Sequence, residues 1–339
     1  MDAAPDSSRH RRGSDSFAAA PDFSGDPDEN AGSLANLTEI WLPCLNAIEA
    51  RSVVEIGAYR GKLTGELASW AATVGGKVTA IDPAPHSDLL ELEARHPELE
   101  LRTETSFEAL PDLAPPDAIV IDGDHNYYTV SEELRLIAEK VPGLELPLLI
   151  FHDVAWPLAR RDSYFDPDVI PEEHRHPFAR DVALVPGDAG IADAGMPFAC
   201  VAVREGGARN GVLTAIEDFM ATREGLRLAI VPAFFGLGVL WHEDAPRAEE
   251  VAEIVEPWDR NPLLQRLEAN RVVQVAERWA AAGRVEVQAS RRQQQENLLR
   301  AMLGSSAFAL AERLSRLRQR GGPVFSREQV RRALGESDR

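Results

Sequence analysis

The sequence predicts an α/β fold built on a doubly wound, mostly parallel sheet of seven strands with an antiparallel edge. Strand-like and helix-like segments alternate along residues 52–151, as is typical of parallel sheets flanked by helices. Residues 118–121 and 146–151 are continuous apolar runs, which suit strands buried on both faces. Both runs end abruptly in charged residues. Because open α/β sheets bind ligands at the carboxyl ends of their strands, we expect the functional site there.

The individual elements follow from local patterns. Residues 34–50 carry apolar side chains at roughly helical spacing, with Pro43 as a potential kink. Further helices are expected to start near Gly61, to cover residues 132–141 and to follow Asn210, a candidate N-cap. The seven strands are predicted at residues 52–56, 77–81, 99–103, 118–121, 146–151, 226–231 and 236–241.

Composition divides the chain into parts. Residues 1–32 are rich in Asp, Ser, Pro, Ala and Gly without a period, which predicts a disordered leader. Residues 33–245 form the predicted α/β domain, in which residues 154–209 lose all periodicity and contain many prolines. We expect a substrate-binding loop insertion there, without long regular elements. Residues 246–339 are predicted to be a helical extension whose apolar stripes are compatible with a homo-oligomer.

Charge and composition weigh against several classes of protein. The 339-residue chain carries a formal net charge of −19, which argues against nucleic-acid binding as the main activity, although arginines cluster in the C-terminal helices. No apolar run is long enough for a membrane span, and no signal peptide is evident. Cys44 and Cys200 lie far apart without metal-ligand spacing. We therefore expect a cytoplasmic protein that neither binds nucleic acid as its main activity nor spans a membrane.

A glycine-containing turn follows the first predicted strand. Gly57 and Gly61 allow a tight turn, and the helix that follows offers free N–H groups to a ligand. The spacing Gly-x-x-x-Gly differs from the Gly-x-Gly-x-x-Gly of dinucleotide sites and is a weak signal alone. Asp82 ends the second strand, where a carboxylate can accept hydrogen bonds from ribose hydroxyls. Ser106, after the third strand, is placed to border an adenine.

Carboxylates and imidazoles follow the fourth and fifth strands. Asp122, Asp124 and His125 come directly after residues 118–121, and His152 and Asp153 come after residues 146–151. Each group also has a purely structural interpretation as a polar turn or a helix cap. For Asp124 a supporting role is the better explanation, whereas the spacing favours a chemical role for His125.

With Glu-Ile-Gly-Ala-Tyr-Arg-Gly at residues 55–61, Asp82, and Ile-Asp-Gly-Asp-His at residues 121–125, the chain resembles class I S-adenosylmethionine-dependent methyltransferases. It is most similar to the metal-dependent branch that includes macrolide-sugar O-methyltransferases and cephalosporin-hydroxylase-like proteins. The resemblance covers about residues 35–242. It implies a Rossmann-like methyltransferase domain with S-adenosyl-L-methionine and Mg²⁺ or another divalent metal as cofactors.

The resemblance also implies roles for individual residues. His125 would be the catalytic base, and Asp122, His152 and Asp153 would bind the metal. His152 departs from the family pattern, which has a carboxylate at this place. It therefore either favours a softer ion than Mg²⁺, leaves only two protein ligands, or acts as a second base. The implied cofactor-binding residues are Glu55, Gly57, Tyr59, Gly61, Asp82, Ser106 and Asp122.

The expected function is that of a metal-assisted O-methyltransferase acting on a hydroxyl of a sugar or of a glycosylated or secondary metabolite. A divalent cation lowers the pKa of such a hydroxyl, and an imidazole with a pKa near 6.5 can accept its proton. One alternative is a non-catalytic methyltransferase-like scaffold whose C-terminal helices bind a partner. Another is a Rossmann oxidoreductase, against which the missing Gly-x-Gly-x-x-Gly weighs.

Overall fold

A computed structural model describes residues 32–141, 146–318 and 326–334 of the protein. All but the last residue of the predicted leader, residues 1–32, lies outside this described part. Within it, one large sheet has helices on both faces. A separate two-stranded hairpin and a helical region near the C-terminus complete the described part.

Seven strands form the large sheet in the order β3-β2-β1-β4-β5-β9-β8. Strands β1 to β5 are parallel to one another, and β9 is antiparallel to both β5 and β8. The antiparallel strand is therefore the last but one, not the edge strand itself. The sheet strands are β1 (Ser52–Ile56), β2 (Lys77–Ile81), β3 (Leu99–Arg102), β4 (Ala118–Ile121), β5 (Leu148–Phe151), β8 (Leu226–Val231) and β9 (Leu237–His242), and the hairpin strands are β6 (Phe178–Leu184) and β7 (Met196–Ala202).

Helices cover both faces of the sheet because successive strand residues point to opposite sides. Val53 packs into the core beneath α1, α2, α3 and α7, whereas Val54 packs into the core beneath α5 and α6. The helices are α1 (Thr38–Ala47), α2 (Lys62–Val74), α3 (Ser87–Arg95), α4 (Ser106–Ala109), α5 (Tyr127–Lys140), α6 (Val212–Ala221), α7 (Ala248–Val255), α8 (Pro262–Gly304), α9 (Ser306–Arg318) and α10 (Arg327–Ala333).

Two elements differ from the sequence prediction. Helix α5 begins at Tyr127 instead of residue 132, because the Asn126 side chain accepts the N–H of Thr129 and caps the helix early. The prediction that residues 154–209 lack long regular elements was wrong, since they contain the β6–β7 hairpin. Prolines did not prevent it, because a two-stranded ribbon has solvent-facing edges that tolerate a missing N–H.

The C-terminal helices differ in how they attach to the sheet. Val251 and Val255 of α7 are buried in the same core as α1, so α7 packs with the α/β domain. Helix α8 is 43 residues long and contacts the domain through its first half, where Val272 and Ala276 are buried. The division at residues 245 and 246 stays a prediction. None of the described helices is long and apolar enough to cross a membrane.

The turn after β1 has a backbone that only glycine fits. Gly57 has a φ of 85°, and a Cβ built there would lie 2.2 Å from the carbonyl oxygen of Asp122. Gly75, at the end of α2, has a φ of 67° but an added Cβ would meet nothing within 4 Å. Alanine substitutions at Gly75 and at Gly57 therefore separate the conformational cost of an L-residue in the left-handed region from the cost of a steric clash.

We expect Gly75→Ala to lower the free energy of unfolding by about 1 kcal/mol, the cost of placing an L-residue in the left-handed region. Gly57→Ala should cost at least about 2 kcal/mol more, because β1 and β4 must separate to admit the methyl group. Urea unfolding of both variants measures the difference. Equal losses would contradict the close contact between Gly57 and Asp122.

Candidate active site

The carboxyl ends of β1, β2, β4 and β5 border one cavity of about 870 Å³. It lies where the strand order reverses, since β2 and β3 lie on one side of β1 whereas β4 and β5 lie on the other. Open α/β sheets bind their ligands at this crevice. The predicted site residues that line the cavity are Glu55, Gly57, Tyr59, Asp82, Ser106, Asp122, His125, His152 and Asp153.

Gly61 alone among the predicted site residues does not line the cavity. It is the N-cap of α2, and an added Cβ would meet side-chain atoms of Leu89 and Leu92 at 3.1 and 3.0 Å. The left-handed φ of 84° at Gly61, together with the packing of α2 against α3, therefore accounts for the glycine.

Asp82 organises the turn that follows β1. Its Oδ2 accepts the backbone N–H groups of Ala58 and Tyr59 at 3.1 and 2.6 Å, and its Oδ1 accepts that of Ala84 at 2.8 Å. The carboxylate thus shapes the wall of the cavity. A carboxylate has about four lone-pair sites, so it retains acceptor capacity for a ligand.

Glu55 is a buried carboxyl group at the bottom of the cavity. Its side chain is 1% exposed, and among the described residues its Oε2 has no hydrogen-bond partner. Burial, together with the nearby carboxylates of Asp122 and Asp82, raises the pKa of Glu55 to about 8. An unsatisfied buried carboxyl oxygen is costly unless a ligand uses it, which makes Glu55 a strong binding candidate.

Two carboxylates and two imidazoles meet beyond the ends of β4 and β5. His125 Nε2 lies 3.1 Å from Asp122 Oδ1 and 3.0 Å from Asp153 Oδ2. His152 Nδ1 lies 2.9 Å from Asp122 Oδ1 and 3.7 Å from Asp153 Oδ2. One ligand atom from each residue lies within 4.8 Å of all the others. The four side chains can therefore surround a single ion.

A backbone carbonyl fixes the tautomer of His152. Its Nε2 lies 2.9 Å from the carbonyl oxygen of Phe234, which can only accept, so Nε2 carries the hydrogen. In the neutral ring Nδ1 then presents a lone pair to Asp122 Oδ1. Two acceptors at 2.9 Å repel each other unless a proton or a metal ion lies between them.

When no metal ion is bound, protons lie between the imidazole nitrogens and the carboxylate oxygens of the cluster. Burial opposes the protonated imidazole of His125, but Asp153 and Asp122 outweigh it and raise the pKa of His125 to about 9. The same balance, with Asp122 as the main partner, raises the pKa of His152 to about 10. Burial would raise the pKa of Asp122, yet His152 and His125 hold it well below its usual range. A divalent cation would replace these protons.

Two further side chains, one after β4 and one in the insertion, have structural partners. Asp124 Oδ1 accepts the backbone N–H of Phe165 at 2.9 Å, in keeping with the supporting role expected for it. Tyr164 is buried and its hydroxyl donates to Asp162 at 3.0 Å, so it packs the insertion. The insertion instead presents Phe165 and Val169 to the cavity, with exposed fractions of 75% and 74%.

Residues 54–154 match the model of a family described as a methyltransferase domain. The match begins in β1, ends just after β5, and includes the glycine turn, Asp82 and the four residues of the polar cluster. Over these residues the chain is similar to a methyltransferase domain. With the hairpin left aside, its sheet strands follow the order 3-2-1-4-5-7-6.

Solved structures of three methyltransferases are similar to the chain at low sequence identity. The S-adenosylhomocysteine-bound methyltransferase PaMTH1 of Podospora anserina is 14% identical, with 65% of this chain and 84% of that chain covered and a TM-score of 0.42. An O-methyltransferase of Bacillus cereus is 15% identical, with 67% of this chain and 86% of that chain covered and a TM-score of 0.35. The O-methyltransferase TomG of Streptomyces achromogenes is 14% identical, with 67% of this chain and 84% of that chain covered and a TM-score of 0.35. No curated protein matches the chain.

Sequence reasoning missed a second buried carboxyl group that borders the same cavity. Glu133 of α5 is 1% exposed, and its Oε1 accepts the hydroxyl of Ser106 at 2.6 Å. Burial raises the pKa of Glu133 to about 8. A signal was present in the sequence, because Glu133 lies on the apolar face of α5, beside Val130 and Leu134.

Glu133 makes the stability of this domain depend on pH with a definite sign. An unfolded glutamate titrates near pH 4.3, whereas the folded carboxyl holds its proton up to about pH 8. Between these values the folded state binds more protons than the unfolded state, so stability falls as pH rises. We expect Glu133→Gln to reduce this fall by up to about 1.4 kcal/mol per pH unit.

Urea unfolding at pH 5, 6, 7 and 8 tests the effect of Glu133→Gln. Glu139→Gln is the matched control on the same helix, since that side chain is 61% exposed and pairs with Arg135. Glu55 titrates in the same direction and leaves part of the slope in every variant. Parallel curves for wild type and Glu133→Gln would contradict the burial of a neutral carboxyl group at this position.

Proposed function

We propose that the chain is a divalent-metal-assisted O-methyltransferase that acts on a hydroxyl group of a small sugar or of a glycosylated or secondary metabolite. One observation carries the proposal: the cluster of Asp122, His125, His152 and Asp153 borders the same cavity as the glycine turn and Asp82. A site that places a methyl donor beside metal-ligating and proton-accepting groups suits transfer to a hydroxyl oxygen.

Asp122, His152 and Asp153 are the residues that we propose as metal ligands. The donor set fits a divalent ion, because the two carboxylates supply charge and the tautomer of His152 directs Nδ1 toward Asp122. Bound there, a divalent cation would supply the positive charge that lowers the pKa of an acceptor hydroxyl. An imidazole ligand favours Mn²⁺ or a later transition metal over Mg²⁺, which prefers oxygen ligands.

His125 is the residue that we propose as the proton acceptor. Its Nε2 points into the cluster, where the two carboxylates hold a proton on it at neutral pH. Once positive charge in the cluster neutralises Asp122 and Asp153, Nε2 can lose that proton and then accept one from a hydroxyl beside it.

The opposite half of the cavity is the proposed binding site for S-adenosyl-L-methionine. Glu55 offers a positively charged group an oxygen that has no partner within the described part of the chain, and Asp82 offers acceptors to ribose hydroxyls. Gly57 brings the β1 turn against the backbone of Asp122 and Gly123. The cofactor half and the cluster half of the cavity are therefore adjacent.

The mouth of the cavity supports an acceptor that contains a ring. Tyr59, Phe165 and Val169 line the cavity, yet 63%, 75% and 74% of their surfaces are exposed. Apolar and aromatic side chains held in solvent beside a site gain free energy when a ligand covers them. A sugar ring presents both apolar faces and hydroxyl groups, which suits a rim of this kind next to the cluster.

The proposal can be tested by mass spectrometry. The protein is incubated with S-adenosyl-L-methionine, Mn²⁺ or Mg²⁺, and a panel of hydroxylated metabolites and glycans. We expect a product that carries one added methyl group, with higher turnover in Mn²⁺ and loss of turnover in a chelator. Turnover that survives the chelator would remove the metal from the function. Cofactor binding without any methylated product would favour the non-catalytic scaffold.

The role of His125 can be separated from that of a metal ligand. We expect His125→Gln to lower turnover by about 10²–10⁴-fold, the usual contribution of a general base. The affinities for Mn²⁺ and S-adenosylhomocysteine, measured by calorimetry, should remain close to those of the wild type. His96→Gln, remote from the cavity, is the control. A loss of Mn²⁺ binding in His125→Gln would instead make His125 a fourth ligand.

A further inference from the structure

The turn between β8 and β9 has an unusual backbone and lies against the segment that follows β5, which carries His152 and Asp153. Phe234 and Phe235 have φ values of 51° and 68°, a region that bulky side chains rarely adopt. Gly236 follows with a φ of 98°, and an added Cβ would lie 2.7 Å from the backbone nitrogen of Ala155. A turn of this kind persists only where its surroundings hold it in place.

Two carbonyl groups of this turn hold the segment that carries the proposed ligands. The Phe234 carbonyl accepts the Nε2–H of His152 at 2.9 Å, and the Phe235 carbonyl accepts the backbone N–H of Ala155 at 2.8 Å. The first bond sets both the tautomer and the ring plane of His152. A shift of the turn would therefore move Nδ1 of His152 away from Asp122.

Side chains of the C-terminal helix α8 hold the turn from the other side. Glu268 is 8% exposed, and its Oε1 accepts the backbone N–H of Phe235 at 2.8 Å. Arg271 donates to both oxygens of Glu268, at 2.6 and 2.7 Å. The Arg271 guanidinium carbon lies 4.5 Å from the ring centre of Phe235 and 5.3 Å from that of Phe234.

We propose that Glu268 and Arg271 are positioning residues for the candidate metal centre. Through the Phe234–Phe235 turn they orient His152, so helix α8 belongs to the active site although it lies outside the segment that matches the methyltransferase family. The identity of the centre rests on the proposed function, whereas the orientation of His152 rests on the hydrogen bonds and ring contacts alone.

The competing explanation is that the pair only fastens α8 to the domain. Both explanations predict some loss of thermal stability when the pair is disrupted. They differ at the His152 ring, because a simple fastening has no reason to change the state of an imidazole on the far side of the turn. The decisive measurement must therefore observe that ring directly.

Nuclear magnetic resonance of metal-free protein with ¹⁵N-labelled histidine makes this observation. The Nε2–H of His152, assigned by its absence in His152→Gln, should exchange slowly with water in the wild type. We expect the signal to broaden or disappear in Arg271→Met and in Glu268→Ala, and to be largely restored in Arg271→Lys. Arg292→Met is the matched control, since Arg292 also pairs with a glutamate on α8 but lies away from the turn.

Metal binding provides the second measurement. In Arg271→Met and Glu268→Ala we expect the Kd for Mn²⁺ to rise by about tenfold, as is usual when a hydrogen-bond partner behind a ligand is disturbed. Arg292→Met should stay within about twofold of the wild type. If Glu268→Ala fails to fold, Arg271→Met and Arg271→Lys still decide the outcome.

The two measurements separate this proposal from the proposed function. An imidazole signal that is unchanged in folded Arg271→Met and Glu268→Ala would overturn the positioning role, whether or not the wild type binds Mn²⁺. A wild type that binds no Mn²⁺ would overturn the metal-assisted function. In that case loss of the imidazole signal in both variants, with Arg292→Met unchanged, would still support control of His152 by α8.

Discussion

The contact between Asp122 and His152 is the constraint on which the site depends. A carboxylate oxygen and an imidazole nitrogen lie 2.9 Å apart in a buried place, and a carbonyl already holds the only hydrogen of the neutral ring. The pair is therefore stable only with a proton or a metal ion between its members. His125 Nε2 lies 3.0 Å from Asp153 Oδ2, so this second contact also needs a hydrogen on the ring nitrogen or a metal ion.

The position of this cluster follows from one close backbone contact in the sheet. Because Gly57 has no side chain, the turn after β1 lies directly against Asp122 and Gly123 after β4. That contact brings Glu55 and the Asp82-bound turn to the same cavity as the cluster. In the proposed function, the binding of a methyl donor and the activation of an acceptor are thus joined by the pairing of two neighbouring strands.

Groups far away in the sequence complete the site. The carbonyl of Phe234 orients His152, and Glu268 and Arg271 of α8 hold the turn that presents this carbonyl. The insertion contributes Phe165, whose backbone N–H is fixed by Asp124. The site therefore depends on three parts of the chain that lie outside the segment matching the methyltransferase family.

The sequence by itself determined the parallel sheet, the glycine turn and the polar strand ends, because apolar runs, glycines and carboxylates act over short distances along the chain. The resemblance to metal-dependent methyltransferases also implied that Asp122, His125, His152 and Asp153 would share one site. Only the tertiary structure decided the tautomer of His152, the burial of Glu133 against Ser106, and the contact of α8 with Phe235. These depend on partners dozens of residues away, which no local pattern specifies.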